Sequence, residues 1–187
     1  MYQRKNKTLI VFLTLIMLIS GFLISGCSQD ETVDPYKTVI QKVLELQFTG
    51  PDEKFMDLLW NPKYKSVNNG KEENLELSKY IEEVYGGYFT ESELDFFMSA
   101  FGTLYQSIAD FNGYKLSFKE VSIEQSEKMS NRYTFIATVG FQKNSEGEKT
   151  VNVSGEVIFS TKEEGKIGRF QYKGDDGLAN IMNNKGN

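Results

Sequence analysis

Tyr114-Lys115-Leu116-Ser117-Phe118-Lys119-Glu120-Val121-Ser122-Ile123 is where this chain changes its period. Tyr114, Leu116 and Phe118 alternate with Lys115, Ser117 and Lys119, the two-residue repeat of a half-buried strand. Val121 and Ile123 return to the same face only if the interval at Glu120 absorbs one residue, so the spacing predicts a strand with a bulge or bend there. Residues after this stretch keep the period of two, and those before it, back to Asp34, keep a helical one.

Downstream, Tyr133, Phe135, Ala137, Val139 and Phe141 share one face, opposite Thr134, Thr138 and Gln142. Ser145-Glu146-Gly147 turns the chain. Val151, Val153, Val157 and Phe159 repeat the pattern with Gly155 among them, and after Gly165 a fourth strand carries Ile167, Phe170 and Tyr172. Four strands with short turns predict an antiparallel meander, one face of which is buried against the helices.

Upstream, Asp34-Pro35 supplies an N-cap and a proline at the first helical position. Tyr36, Val39, Ile40, Val43 and Leu44 then recur on one helical face to near Phe48. Gly50-Pro51 breaks the chain, and a short helix with Phe55, Met56, Leu59 and Trp60 runs to the stop at Asn61-Pro62. Lys63 to Glu73 reads as a loop or short hairpin turning at Asn68-Asn69-Gly70. Leu75 to Tyr85 forms a third helix with Leu77, Tyr80, Ile81 and Val84 inward, ended by Gly86-Gly87. Thr90-Glu91-Ser92-Glu93 has the form of a capping box. The helix it opens carries Leu94, Phe97, Phe101, Leu104, Tyr105 and Ile108 and closes at Asn112-Gly113.

Helices first and a sheet afterwards define an α+β domain: N-terminal helices packed on a curved four-stranded antiparallel sheet. The order helix, helix, short hairpin, helix, strands resembles the NTF2-like (cystatin-like) superfamily, over roughly Asp34 to Tyr172. Asn68-Asn69-Gly70-Lys71 and the helix from Leu75 are similar to the turn and third helix of that family. The resemblance implies a cone whose bent sheet wraps around the helices, often with a pocket between the two. The helix after Thr90 fits as the second half of one long third helix interrupted at Gly86-Gly87. The cystatin fold, with one helix before its sheet, and an unrelated α+β sandwich are the competing arrangements.

The other informative stretch precedes the domain. Arg4, Lys5 and Lys7 form a positive start, and Leu9 to Ile19 is apolar apart from Thr14, the layout of a secretory signal. Leu23-Ile24-Ser25-Gly26-Cys27 resembles the lipobox of bacterial lipoproteins at Leu23, Ser25, Gly26 and Cys27. The resemblance implies cleavage between Gly26 and Cys27 and a diacylglycerol on the Cys27 thiol. Residues 1–26 are then the signal peptide, 27–33 a tether, and 34–187 a single domain. An uncleaved transmembrane helix is the competing reading, since 18 residues from Thr8 to Ser25 approach the length of a span. Against it stand the small residues before Cys27 and the acidic Ser28-Gln29-Asp30-Glu31 after it, where a stop-transfer helix carries basic residues. The expected location is the outer face of a bacterial cell membrane.

Residues 1–26 hold three of the 21 basic residues and none of the 26 acidic ones, so the chain from Cys27 carries a net charge of −8. That argues against nucleic acid and against a polybasic membrane patch. With no histidine, and with the one cysteine lipidated, Ser-His-Asp and Cys-His catalysis and His- or Cys-ligated metal sites are excluded. Neither a cofactor nor a metal is expected. Gly174-Asp175-Asp176-Gly177 lacks the further ligands and closing glutamate of a calcium loop and reads as a solvated turn.

If the implied pocket is open, Trp60, Tyr64, Tyr85, Tyr88 and Tyr105 are the aromatics expected to border it. The competing account makes them ordinary core and rim. The expected role is non-catalytic binding or assembly, with the membrane as one partner through Cys27 and an envelope protein or small molecule as another. A small-molecule carrier or pocket enzyme of NTF2-like shape is the rival, and an envelope component with no ligand is a third reading.

Overall fold

The computed structural model describes residues 34–144 and 146–184. The expected signal, the Gly26–Cys27 cleavage point and the tether lie outside the described residues, as does Ser145. Residues from Asp34 onward form one compact unit.

Helix α1, Pro35–Phe48, starts where the Asp34 carboxylate accepts the Tyr36 N–H at 2.9 Å, and it buries Ile40, Val43, Leu44, Gln47 and Phe48. Helix α2, Glu53–Trp60, is capped by Asp52, which accepts the Phe55 N–H at 3.0 Å. Strands β1, Ser66–Asn68, and β2, Lys71–Glu73, form the expected small antiparallel hairpin. Its turn holds Asn69 and Gly70 at φ 49° and 77°, a conformation that favours these residue types. Helix α3, Leu75–Tyr85, is capped by Asn74, whose Oδ1 accepts the Leu77 N–H at 2.9 Å. The Asn74 amide also donates to the Leu58 carbonyl at 2.7 Å, so one side chain starts α3 and ties it to α2.

Two expectations fail in the next segment. Thr90 makes no side-chain capping hydrogen bond, and the Glu93 carboxylate accepts the Phe170 N–H at 2.7 Å instead of folding back to form a capping box. The expected single helix is also broken: α4, Glu91–Phe97, passes through a π turn, Met98–Gly102, before α5, Leu104–Asn112. A π turn holds one residue more than an α turn. Positions beyond it therefore shift in phase, and Tyr105, Gln106 and Ala109 face the core while Leu104 is 38% exposed.

The sheet is the predicted meander, open and curved, in the order β3 (Tyr114–Gln125), β4 (Arg132–Lys143), β5 (Lys149–Phe159), β6 (Ile167–Gly174), with every neighbour antiparallel. Phe118 pairs with Val139 and Glu120 with Thr138, which leaves Lys119 as the extra residue of the predicted bulge. Tyr133, Phe135, Ala137, Val139 and Phe141 are all buried on the helix-facing side.

Backbone bridges join the helical segment to both edge strands. Gly50 exchanges hydrogen bonds with Leu116 on β3, at 3.1 and 2.7 Å. At the other edge Thr90 N–H donates to the Ile167 carbonyl on β6 at 3.0 Å, and Ile167 N–H donates to Tyr88 at 2.8 Å. Gln106 closes the α1–α2 link: its amide donates to the Leu46 carbonyl at 2.6 Å and its oxygen accepts the Asp52 N–H at 2.8 Å. Phe97 sits at the centre, with ring centroids 4.7 Å from Phe89 and 5.1 Å from Phe170.

A last helix, α6, Leu178–Asn183, was not expected. The Gly174–Gly177 stretch is more than a solvated turn, because Asp175 accepts the N–H groups of Gly177 and Ala179 at 3.0 Å each and so fixes the start of α6. Leu178 and Met182, four residues apart, are both fully buried.

Candidate functional site

The five aromatics singled out from the sequence do not converge on one opening. Tyr85 and Tyr105 are core residues. The Tyr85 hydroxyl accepts from the Gln47 amide at 3.0 Å, and burial pushes its pKa up to about 12. Tyr105 donates to Asp175 Oδ2 at 3.4 Å; burial and that carboxylate together hold its pKa above the usual phenol value. Tyr64 is half-buried beside the small hairpin, donating to Asp57 Oδ2 at 3.1 Å with the Lys63 ammonium 4.4 Å from its ring centre. Tyr88 lines a separate cleft of about 400 Å³ with Lys42, Glu45, Leu46, Thr49 and Asp52.

Trp60 stands apart from the other four. It borders a mainly apolar cleft of about 620 Å³ with Ser107, Ile108, Asp110, Phe111 and Asn112 of α5 and Asn183 of α6. Trp60 is 58% exposed and Phe111 82%. Large apolar side chains left in water at this level have a local cause, and here it is the π turn. Leu104, Ile108 and Phe111 recur at i, i+4 and i+7, one face of a helix. The phase shift leaves Leu104 and Phe111 exposed and Ile108 half-buried against the core, while Tyr105, Gln106 and Ala109 keep α5 seated. Among the described residues Asp110 is the only charged one lining the cleft, with Ser107, Asn112 and Asn183 as further polar residues.

Sequence reasoning found Trp60 and placed Ile108 against the core, where it packs half-buried, but missed Phe111 and Leu104 as surface residues. A continuous helix places Leu104 inward, and no local signal announces the extra residue of the π turn. Among the described residues no group of three or more Asp, Glu, His or Cys is placed to hold a metal ion, and no helix is long and apolar enough to cross a membrane.

The fold and this surface define a class: an α+β domain with an open antiparallel meander, helices on one face, and an apolar cleft between its helices. No family model, curated protein or solved structure matches the chain.

Proposed function

We propose that this is a lipid-anchored binding module of NTF2-like form, held at the outer face of a bacterial membrane through Cys27. Its partner is an envelope protein that docks in the Trp60–Phe111 cleft. The observation that carries the binding role is the exposed pair Trp60 and Phe111, which line one cleft with the half-buried Ile108, because exposed apolar clusters on a domain with a filled core mark interaction sites. The NTF2-like assignment is supported by the order of helices, small hairpin, helix and meander. The anchor is supported by the sequence Leu23-Ile24-Ser25-Gly26-Cys27 after an apolar run.

The chain's geometry suits presentation of the cleft. Residues 28–33 extend at most about 20 Å, so Asp34 stays near an anchor at Cys27. Asp34 accepts the Tyr133 hydroxyl at 3.1 Å, at the end of the sheet where Tyr133 pairs with Gln125. Phe111 lies just before Tyr114, at the opposite end of β3, a twelve-residue strand of about 40 Å. The cleft thus lies toward the end of β3 remote from Asp34. Its lining asks for an aromatic or branched apolar side chain next to a basic group that pairs with Asp110.

The cleft volume also falls in the range of small-molecule sites, about 300–1,000 Å³, which favours the carrier reading as the alternative. A photocrosslinking residue placed at Phe111 in the full-length chain, in cells, separates them. A protein adduct at Phe111, absent when the same residue replaces Lys162 on the β5–β6 turn, supports protein docking. Equal labelling at both positions, or none at either, overturns it.

A further inference from the structure

The interior of the domain holds a second feature that the cleft does not use. Gln47 of α1 is 1% exposed, and its amide donates to the Tyr85 hydroxyl at 3.0 Å and to the Gly102 carbonyl, the last residue of the π turn, at 3.2 Å. A carbonyl only accepts, so the nitrogen of the Gln47 amide has to face Gly102 and the oxygen has to face away. That oxygen, Gln47 Oε1, is buried without a hydrogen-bond partner among the described residues, and so is the Tyr172 hydroxyl of β6.

Both orphans belong to one aromatic cluster: Tyr85, to which Gln47 donates, has its ring 6.1 Å from Phe97, and Phe97 lies 6.4 Å from Phe101. The Tyr172 ring lies 5.9 Å from Phe48, the residue after Gln47, and 5.6 Å from Phe101, the residue before Gly102. It lies 5.5 Å from Tyr105 as well. Burial raises the Tyr172 pKa well above the phenol value, and Tyr105 and Tyr85 raise it further, as neighbouring phenols do. The Tyr85 hydroxyl accepts from Gln47 and still has its own proton to donate.

We infer that Gln47, Tyr85 and Tyr172 form an internal binding site for one ordered water, enclosed between α1, the π turn and β6. The hydrogen-bond inventory selects that ligand. Tyr85 and Tyr172 each have a proton to give and Gln47 Oε1 has lone pairs to receive, so the occupant accepts twice and donates at least once. Water has two donors and two acceptors and commonly makes about three bonds when buried. An unpaired buried polar group is costly, and the site has two such atoms whose demands one water meets together. The water joins the π turn, through Gln47, to the sheet, through Tyr172.

High-resolution crystallography of the full-length chain tests this. The expected result is one solvent peak within about 2.7–3.2 Å of Tyr85 Oη, Tyr172 Oη and Gln47 Oε1. Direct contact between Tyr172 Oη and Gln47 Oε1, or a closed interior with no density between the three groups, overturns it. In solution, water-oxygen magnetic relaxation dispersion counts long-lived internal waters. Tyr172→Phe keeps the ring and removes one partner, so the count or residence time falls while the thermal midpoint stays within a few degrees. An unchanged dispersion profile in the folded variant overturns the site.

Discussion

The Glu93 carboxylate accepts the backbone N–H of Phe170 at 2.7 Å, a bond across 77 residues that fastens the start of α4 to the edge strand β6. Burial raises the Glu93 pKa above its ordinary value of 4.5, opposed by the Phe170 N–H and by the charge of Arg169. A carboxyl whose folded pKa lies above its unfolded one binds protons more tightly when folded. Its contribution to stability is therefore greatest at low pH and falls as pH rises through the window between the two pKa values. Glu93→Gln keeps an acceptor for Phe170 and removes the titration. The stability difference between Glu93→Gln and the unmodified chain should move in favour of the variant from pH 4.5 upward. A denaturant series at several pH values checks the slope, and a flat difference contradicts the argument.

That same bond explains where reading from sequence stopped. Asp34, Asp52 and Asn74 cap helices through neighbours two or three residues away, so spacing alone exposed those helices. The bulge at Lys119 was legible for the same reason, because the apolar period of β3 skips at one place. Thr90-Glu91-Ser92-Glu93 obeys the local rule of a capping box, yet Glu93 is taken by a group that no local pattern can show. Of the site, Trp60 was legible as an aromatic before a helix stop. Phe111 was not, because its outward position depends on a phase shift made thirteen to nine residues earlier, in the π turn.

Asn74 should be among the more sensitive polar positions outside the core. Asn74→Ala removes the cap of α3, worth about 1 kcal/mol, and leaves the Leu58 carbonyl without its donor, worth about 1 kcal/mol more. Asn74→Ser restores the cap but not the donor and should recover about half the loss. Urea midpoints for the two variants measure the split: equal losses would mean that the cap contributes nothing, and full recovery in Asn74→Ser that the Leu58 bond contributes nothing.

Gly155 is required for a steric reason. A Cβ there meets the Phe135 ring and the Gln171 carbonyl, the latter part of the rigid β6 backbone. Gly155→Ala should cost about 1–3 kcal/mol, as overpacking of a filled core does. Phe135→Leu in the same chain removes the ring contact and should recover part of the loss. A thermal midpoint unchanged by Gly155→Ala would show that the two strands separate more freely than their register indicates.

Trp60 and Phe111 should separate binding from folding. Both side chains are largely in water, so Trp60→Ala and Phe111→Ala should each change stability by no more than about 1 kcal/mol. If the cleft is a protein interface, aromatic anchors there carry about 2 kcal/mol or more of affinity, a loss of at least thirtyfold on truncation. The comparison is the yield of protein adduct from a photocrosslinking residue placed at Asn183, an exposed residue that also lines the cleft, in each variant and in the otherwise unmodified chain. Loss of adduct with the thermal midpoint retained is expected; retained adduct contradicts the cleft.

The π turn makes a prediction about length. An extra residue inside an α-helix widens one turn and leaves the flanks attached to their own neighbours. Here α4 is held by Glu93 on Phe170, and α5 by Gln106 on Leu46 and Asp52. Deleting Ala100, which is exposed in the wide turn, should let the segment relax to a regular α-helix with both anchors kept. Deleting Ile108 removes a residue from a segment with no surplus and rotates Ala109 out of the core, since one residue is about 100° of helical turn. The first variant should therefore fold, with the helical circular dichroism signal retained and a lower thermal midpoint, while the second should lose cooperative unfolding. Equal damage from both deletions would mean that the wide turn is not a surplus residue but a fixed part of the packing around Gln47 and Gly102.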